Sequence, residues 1–350
     1  LIDRAAKAER FIFLEYFILA EGKLWDELEK ILCAKAREGV EVKIIFDDFG
    51  NIKRFSGETI DRLREVGVEV FIFNPVHEYV NRLHFNYRDH RKIACIDGDV
   101  AYTGGVNIAD EYANIIERFG YWKDSGVCLE GEGAWGLTAS FIRMCVNLGG
   151  VMHNEHDYYR PHTPVKSEGF CQPFTDGPQN NPDNPAEDVF LQMISGARRF
   201  LYITTPYFIP DESLMRALCI AGDGGVDVRL MLPGKPDHWY ADCVAESYFG
   251  ELVKHGVKVY RYTPGFLHGK SIMVDRVAAF VGSVNMDYRS FELDYECGVM
   301  VYGAPMIESL LEDMDMIVDH SRLVTKEEWA KRSVLRRVFE PLLRLFAIWM

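Results

Sequence analysis

A histidine, a lysine and an asparagine recur in this sequence at one fixed spacing. In each copy the lysine comes two residues after the histidine, and the asparagine comes seventeen residues after it. The two copies are His90, Lys92 and Asn107, and His268, Lys270 and Asn285. Imidazole can attack phosphorus or transfer a proton near neutral pH, while ammonium and amide groups stabilise anionic oxygens. Two copies in equivalent places predict one phosphodiester-processing centre, whereas a single copy would be a weak signal.

The residues that follow each histidine predict a hairpin. Residues two apart on a strand project from the same face, so the imidazole and the ammonium group should point into one pocket. Asp97 opens an Asp-Gly turn, and we expect Asp97 and Asp275 to have a structural role at the far end of each hairpin. The returning strand brings Gly105 and Ser283 back beside the histidines, where they should bind substrate oxygens.

An acidic residue stands after the asparagine in both halves, before another apolar run. These acids are Asp124, in YWKDSG, and Glu296, in LDYECG. A carboxylate that accepts from one ring nitrogen fixes the tautomer and leaves the other nitrogen free to react. We therefore expect Asp124 and Glu296 to be the partners of the two imidazoles.

The motif is part of a duplication of almost the whole chain. RFIFLEYFIL in the first half matches RFLYITTPYFI in the second, and helix-like and strand-like stretches follow in the same order. This alternation predicts an α/β fold in which helices cover a central sheet. The segments that we assign are a first half at 1–154, a connector rich in Pro, Asn, Asp and Gly at 155–185, a second half at 186–322 and a tail at 323–350.

The tail has apolar residues at helical spacing, interrupted by arginines. Two interpretations remain open: an amphipathic helix in the lipid interface, or a terminal helix packed on the domain with a kink at Pro341.

The chain has a net charge of -14, which makes broad nucleic-acid binding unfavourable. We therefore expect no nucleic-acid partner, and no metal or other cofactor. Because the sequence opens at Leu1 within a helix-like stretch, we expect further residues to precede it.

The sequence resembles the phospholipase D superfamily, whose signature is this duplicated motif, and within it the bacterial cardiolipin synthases. The segments that carry the resemblance include NYRDHRKIACIDG, GGVNIADEY, GFLHGKSIMVD and GSVNMDYRSFELDYE. The resemblance implies two α/β domains related by a pseudo-twofold axis, each a mixed central sheet flanked by helices. It also implies transfer of a phosphatidyl group between two phosphatidylglycerol molecules, which gives cardiolipin and glycerol through a phosphohistidine intermediate.

By the same resemblance, His90 is the nucleophile and His268 the general acid and base, although the sequence does not distinguish them. The expected partners are phosphatidylglycerol in the bilayer and the membrane surface. The expected location is the cytoplasmic face of the bacterial cell membrane, with the membrane helices of the family outside this chain. Asp89 and Asp294 depart from the family pattern, which has Asn at both places.

Two other functions fit the same motifs. A hydrolase of the superfamily, acting on lipid or nucleic acid, would share the first half-reaction and use water in the second. A scaffold that kept the fold without activity is the third interpretation, although both half-sites are complete.

Overall fold

The computed structural model describes residues 1–76, 86–154, 157–161, 168–178, 184–330 and 343–344, without the side chains of 328 and 330. Its strands, numbered in chain order, are β1 Phe11–Tyr16, β2 Glu41–Asp47, β3 Glu69–Phe73, β4 Arg88–Asp89, β5 Lys92–Ile96, β6 Val100–Gly104, β7 Tyr121–Lys123, β8 Gly126–Glu130, β9 Phe170–Asp176, β10 Phe200–Thr204, β11 Phe208–Ile209, β12 Asp227–Pro233, β13 Lys258–Tyr262, β14 Gly265–Leu267, β15 Ser271–Val274, β16 Ala278–Gly282, β17 Met286–Asp287, β18 Asp294–Tyr302 and β19 Ser321–Leu323.

The helices connect these strands and cover the sheets. They are α1 Ile2–Ala5, α2 Lys23–Arg37, α3 Asp48–Asn51, α4 Gly57–Glu65, α5 Ala134–Asn147, α6 Pro185–Gly196, α7 Glu212–Asp223, α8 Trp239–Lys254, α9 Tyr288–Glu292, α10 Met306–Asp319 and α11 Lys326–Ala330, with a 3-10 turn at Gly131–Gly133. Local sequence sets several of their ends. Asp211 accepts hydrogen bonds from the first backbone N–H groups of α7, and Gly39, in a left-handed conformation, follows α2. Among the described residues, no helix has the length and apolar character needed to cross a bilayer.

The two halves have the same sheet topology. The first sheet has the order β3-β2-β1-β5-β6-β8, and the second repeats it as β13-β12-β10-β15-β16-β18, extended by β19, β4 and β9. In each half, three parallel strands are followed by an antiparallel hairpin, β5–β6 or β15–β16. The structure therefore confirms the prediction of two related α/β units with mixed sheets flanked by helices.

One hydrophobic core lies between the two sheets. It combines inward-facing residues of the first sheet, such as Phe13 and Ile93, with Met273 and Val299 of the second, and with helix residues such as Phe141. A second and a third core lie on the outer faces. Central strands therefore bury both faces, which explains why runs such as IIF and SIMV are almost continuously apolar.

Some strands of each half pair with strands of the other half. Strand β4 of the first half pairs with β18 of the second, and β14 of the second pairs with β7 of the first. The segment read as a connector contains β9, which pairs along its whole length with β18. The Pro- and Asn-rich composition of 155–185 gave no sign of this strand.

The tail prediction falls mostly outside the described residues. Within the tail, α11 is described, and Trp329 packs against the core of the second half. Arg344 donates to Ser247 and lies over the ring of Tyr248, with its guanidinium carbon 3.7 Å from the ring centre.

Candidate active site

Both motif histidines lie in short loops between strands rather than within a strand. His90 lies between β4 and β5, and His268 lies between β14 and β15. The strand-parity argument is therefore wrong in its premise, because the loops and not a pleat orient the imidazoles. Lys92 and Lys270 each donate from Nζ to the backbone carbonyl of the histidine two residues earlier.

Each imidazole pairs with an acid of the other half. His90 Nδ1 lies 2.8 Å from a carboxylate oxygen of Glu296, and His268 Nδ1 lies 2.7 Å from Asp124. Both acid side chains are buried and contact Nδ1, which leaves Nε2 without a hydrogen bond among the described residues. A carboxylate that accepts from Nδ1 fixes the tautomer in which Nε2 can attack. The sequence identified both acids but gave no sign that the pairs cross between the halves.

Backbone pairing explains why the pairs cross. The strand before each histidine runs parallel to the strand that leads to the opposite acid, β4 beside β18 and β14 beside β7. The backbone N–H of His90 donates to Tyr295 O at 2.9 Å, and that of His268 donates to Lys123 O at 2.7 Å. The backbone of each histidine is therefore bonded to the residue that immediately precedes the acid of the other half.

The two imidazoles line one cavity of about 340 Å³ between the halves. Among the described residues, its lining includes both histidines and both motif asparagines, together with Tyr112, Trp122, Tyr207, Asp237, Asp287, Arg289 and Asp294. The two lysines are buried behind the histidines. A tetrahedral anion in this cavity would contact groups from both halves at once.

Comparisons with known proteins agree with this geometry. The family described as "Cardiolipin synthase, PLD-like domain" matches residues 1–115 and 190–318, which together exceed half of the chain. This chain belongs to the cardiolipin synthase, PLD-like family. A cardiolipin synthase of Halalkalibacterium halodurans is 37% identical over 97% of this chain and 67% of its own length. One from Clostridium perfringens is 37% identical over 99% of this chain and 73% of its own length.

A solved structure shows the same fold. The phosphatidylserine synthase of Haemophilus influenzae superposes with a TM-score of 0.71 at 16% identity, over 99% of this chain and 88% of its own. At that identity the likeness concerns the fold alone. The relation to the cardiolipin synthase, PLD-like family rests on the sequence matches.

The two asparagines and their neighbours differ between the half-sites of this family member. Asn107 accepts from the Ile18 N–H at 3.0 Å and donates to the Tyr112 hydroxyl at 2.8 Å. Asn285 lines the cavity, and its side-chain oxygen has no hydrogen-bond partner among the described residues. Tyr112 was not singled out from the sequence, although the ADEY segment that contains it belongs to the family resemblance.

Gly105 and Ser283 adjoin the two acids, and their predicted contact with substrate stays a prediction. The Ser283 hydroxyl is fully buried and donates to Glu296. A side chain at Gly105 would collide with Asp124, since a Cβ there would lie 2.1 Å from its Oδ1.

Asp97 and Asp275 lie at the far hairpin turns, away from the imidazoles. Asp97 accepts hydrogen bonds from the backbone N–H groups of Glu9, Arg10 and Phe11 at 2.8 to 3.0 Å. Asp275 accepts from the three equivalent groups that open β10. Each aspartate therefore ties its hairpin to the first strand of its half.

Burial lowers the pKa of both histidines. The pKa of His90 falls well below its usual value, and nearby ammonium groups, first Lys92, lower it further. For His268, burial and then Lys270 outweigh the opposing effect of Asp124 and lower the pKa to about 4. These shifts favour two neutral imidazoles.

The two acids differ in charge preference. Burial would raise the pKa of Asp124, but His268 and Lys270 outweigh it, so this pKa is lowered. Burial raises the pKa of Glu296 well above its usual value, even though Lys92 opposes the change. Asp124 therefore remains ionised more readily than Glu296.

Arg91 and Arg289 adjoin the site and were not identified from the sequence. Arg91 donates to Asp89 at 3.0 Å and pairs with the fully buried Glu15, which fixes the loop that carries His90. Asp89 is thus balanced by a cation. Arg289 lines the cavity and lies 3.3 Å from Asp294.

In the part of the chain that the structure describes, one group of residues has the geometry to hold a metal ion. His90, Asp294 and Glu296 each offer a ligand atom, and these atoms lie within 4.8 Å of one another. However, Nδ1 of His90 is already paired with Glu296, and the buried Lys92 adds positive charge nearby. A divalent cation would have to overcome this repulsion and displace the hydrogen bond.

Proposed function

We propose that this protein is a cardiolipin synthase that transfers a phosphatidyl group from one phosphatidylglycerol to another, which gives cardiolipin and glycerol. The family membership supports this reaction class. The single observation that carries the mechanism is the pair of carboxylate-bound imidazoles in one cavity. One imidazole alone could not serve as nucleophile and proton donor in the same step.

In the first step, Nε2 of neutral His90 attacks the donor phosphorus while His268 donates a proton to the departing glycerol oxygen. The negative charge of the bound phosphodiester, together with Asp124, favours the protonated form that His268 needs for this step. The P–N bond forms and the P–O bond to the headgroup breaks, which leaves a phosphohistidine. In the second step, a hydroxyl of the acceptor phosphatidylglycerol loses its proton to His268 and attacks the phosphorus. The P–N bond breaks, and both histidines regain their starting states.

The difference between the acids supports this division of roles. Asp124 is readily ionised, so it stabilises the cationic form that His268 needs as general acid. Glu296 has a raised pKa, and the neutral form of His90 is the one that attacks. Lys92 and Lys270 supply positive charge behind the imidazoles, which offsets the added negative charge of five-coordinate phosphorus without a metal.

We further propose that the cavity faces a bilayer at the cytoplasmic surface of the bacterial membrane. Three large apolar side chains, called the rim residues here, are strongly exposed: Ile52 at 47%, Ile116 at 49% and Trp239 at 65%. Each lies within two residues of a cavity-lining residue, Arg54, Arg118 or Tyr240 respectively. Exposed apolar and indole side chains beside arginines suit the interface of an anionic bilayer.

Product analysis tests the proposed reaction. Purified protein is incubated with phosphatidylglycerol vesicles, and lipids and glycerol are followed by mass spectrometry. We expect cardiolipin and glycerol, and no turnover with His90→Ala or His268→Ala. His320→Ala, an exposed histidine at the start of β19, is the control and should retain activity. Release of phosphatidic acid without cardiolipin would indicate a hydrolase, and cleavage of a single-stranded DNA oligonucleotide would indicate a nuclease.

A further inference from the structure

The cavity contains more carboxylates than an anionic substrate would favour. Four acids line it: Glu111, Asp237, Asp287 and Asp294. Unless their charges are already satisfied, such groups repel a phosphodiester. The contacts of each acid therefore decide what it can do.

Three of the four are engaged within the protein. Asp287 caps α9 and accepts from the backbone N–H of Ser290 at 2.8 Å. Asp237 accepts from the Tyr207 hydroxyl at 2.6 Å.

Glu111 lies 3.1 Å from Arg54 and 3.3 Å from Arg118. These two ion pairs offset its charge.

Asp294 lies beside His90. Its Oδ1, like that of Asp237, accepts no hydrogen bond from the described residues, but Asp294 is buried whereas Asp237 is only partly buried. Arg289 approaches within 3.3 Å, but its guanidinium nitrogens donate to the side chain and backbone of Asn86 at 3.0 Å. A buried acceptor that lacks a hydrogen-bond donor is unfavourable. The protein therefore retains an unfavourable group beside His90, with which it shares the 4.8 Å cluster.

We infer that Asp294 binds a free hydroxyl of the glycerol headgroup, so that the site selects a polyol over a simple alcohol. An alcohol O–H is a neutral donor, so it satisfies the carboxylate without the repulsion that a phosphate oxygen would meet. A pocket built to bond a hydroxyl discriminates strongly against the analogue that lacks it. This inference rests on the proposed function, since it concerns the headgroup of the same substrate.

The test compares two lipids that differ only in headgroup hydroxyls, phosphatidylglycerol and phosphatidylpropanol, in detergent micelles with the full chain. The rate of headgroup release gives kcat/KM for each. For Asp294→Ala we expect kcat/KM to fall about 10- to 100-fold with phosphatidylglycerol, since one charged hydrogen bond is lost. With phosphatidylpropanol the value should stay within about twofold, because that headgroup offers no free hydroxyl.

Two further variants complete the design. Asp294→Asn keeps an acceptor oxygen of the same shape, so it should restore most of the preference for the polyol. Glu292→Ala removes an exposed carboxylate nearby in the chain and should change neither rate.

Other outcomes would overturn the inference. An equal loss with both lipids would show that Asp294 only positions His90. Activity that depends on an added divalent cation, and loses that dependence in Asp294→Asn, would make Asp294 a metal ligand instead. If the unaltered protein released headgroup from phosphatidylglycerol without forming cardiolipin, the proposed function would fail, while the comparison of the two lipids would still measure the role of Asp294.

Discussion

At the scale of single residues, the two nitrogens of each active-site imidazole have different surroundings. Nδ1 is bonded to a buried carboxylate from the opposite half, while Nε2 is free for chemistry. The acid thus controls tautomer, orientation and charge of a histidine far away in sequence. Substitution of each acid should therefore affect the reaction in the same way as substitution of the histidine that it contacts.

A leaving group that needs no proton tests these crossed pairs. On phosphatidylglycerol, Glu296→Gln and Asp124→Asn should each lower kcat about 100- to 10,000-fold, the usual range for lost acid–base catalysis. On phosphatidyl-p-nitrophenol, the rate of the first turnover, followed as the burst of p-nitrophenolate, should recover much of its loss in Asp124→Asn and in His268→Ala, because the departing phenolate needs no acid. Later turnovers should stay slow, because transfer from the phosphohistidine still needs His268 as the base. Glu296→Gln should remain impaired on both substrates.

The opposite pattern, in which Glu296→Gln behaves like His268→Ala, would contradict functional pairing across the halves. Kinetics of Glu296→Gln, Asp124→Asn and His268→Ala on both lipids decide the question.

The buried lysines predict a loss of activity in alkaline solution. Burial lowers the pKa of Lys270 to about 7 and that of Lys92 to about 8. A lysine with a lowered pKa loses its proton as the pH rises through that value, and the neutral amine no longer stabilises phosphoryl charge. Above that range kcat/KM should therefore fall by up to about tenfold per pH unit. Lys270→Arg should shift this decline to higher pH, because guanidinium remains charged.

The measurement is a pH profile of kcat/KM and of kcat. Bound phosphate favours the ammonium form, so the decline in kcat should begin at higher pH than the decline in kcat/KM. A profile that stays flat up to pH 9.5 would contradict the role given to the lysines.

At the scale of elements, the hairpin after each histidine is fixed at its far end by one aspartate. Asp97 and Asp275 have left-handed backbone conformations, with φ of 57° and 52°, and each accepts three backbone N–H groups. Such an anchor holds β5 or β15 in register with the first strand of its half. It influences the site only through the strand.

Asp275→Asn should lower the free energy of unfolding by about 1–3 kcal/mol, since Asn tolerates this backbone but has one acceptor oxygen fewer. Burial would raise the pKa of Asp275, but three backbone N–H donors outweigh it, so this pKa is lowered. A carboxyl group whose pKa is lower in the folded than in the unfolded protein stabilises the fold at a pH above the unfolded pKa. This stabilisation is lost as the pH falls through the folded pKa. The difference from the unaltered protein should therefore shrink below about pH 4.

Urea unfolding at pH 7 and pH 3.5 measures this difference, with the exposed Asp319→Asn as control. The KM for phosphatidylglycerol should not change. A change in KM without loss of stability would place Asp275 in the site.

At the scale of the whole molecule, the two sheets share one core, and each rim residue lies within two residues of a cavity-lining residue. Trp239→Asp and Ile116→Asp should each weaken binding to phosphatidylglycerol vesicles about tenfold, because a charge replaces apolar area at the interface. Turnover of a short-chain monomeric lipid should be unaffected. Val277→Asp provides the control. Val277 is an apolar residue of similar exposure, at 61%, but it lies at the turn between β15 and β16, at the far end of that hairpin.

Vesicle sedimentation beside kinetics on the soluble lipid makes this measurement. Equal losses for Val277→Asp and Trp239→Asp would show that added negative charge, and not the rim, governs binding.

The sequence by itself determined the duplication, the motif residues and the two acids. Repeated local patterns survive in a linear string, because each half must form the same strands and hairpins to fold. Residues such as His90 and Glu296 could therefore be selected before any contact was known. The family relation followed from the same segments.

Only the tertiary structure decided how the halves combine. The pairing of β4 with β18 and of β14 with β7 joins residues more than a hundred positions apart, and no local periodicity encodes such a contact. For the same reason, the strand β9 was not predicted. The sequence marked Asp294 only as a departure from the family pattern, and a role for it could be inferred only from its missing hydrogen bond. Hydrogen-bond satisfaction in a buried site depends on every neighbour in space, and the chain order does not show those neighbours.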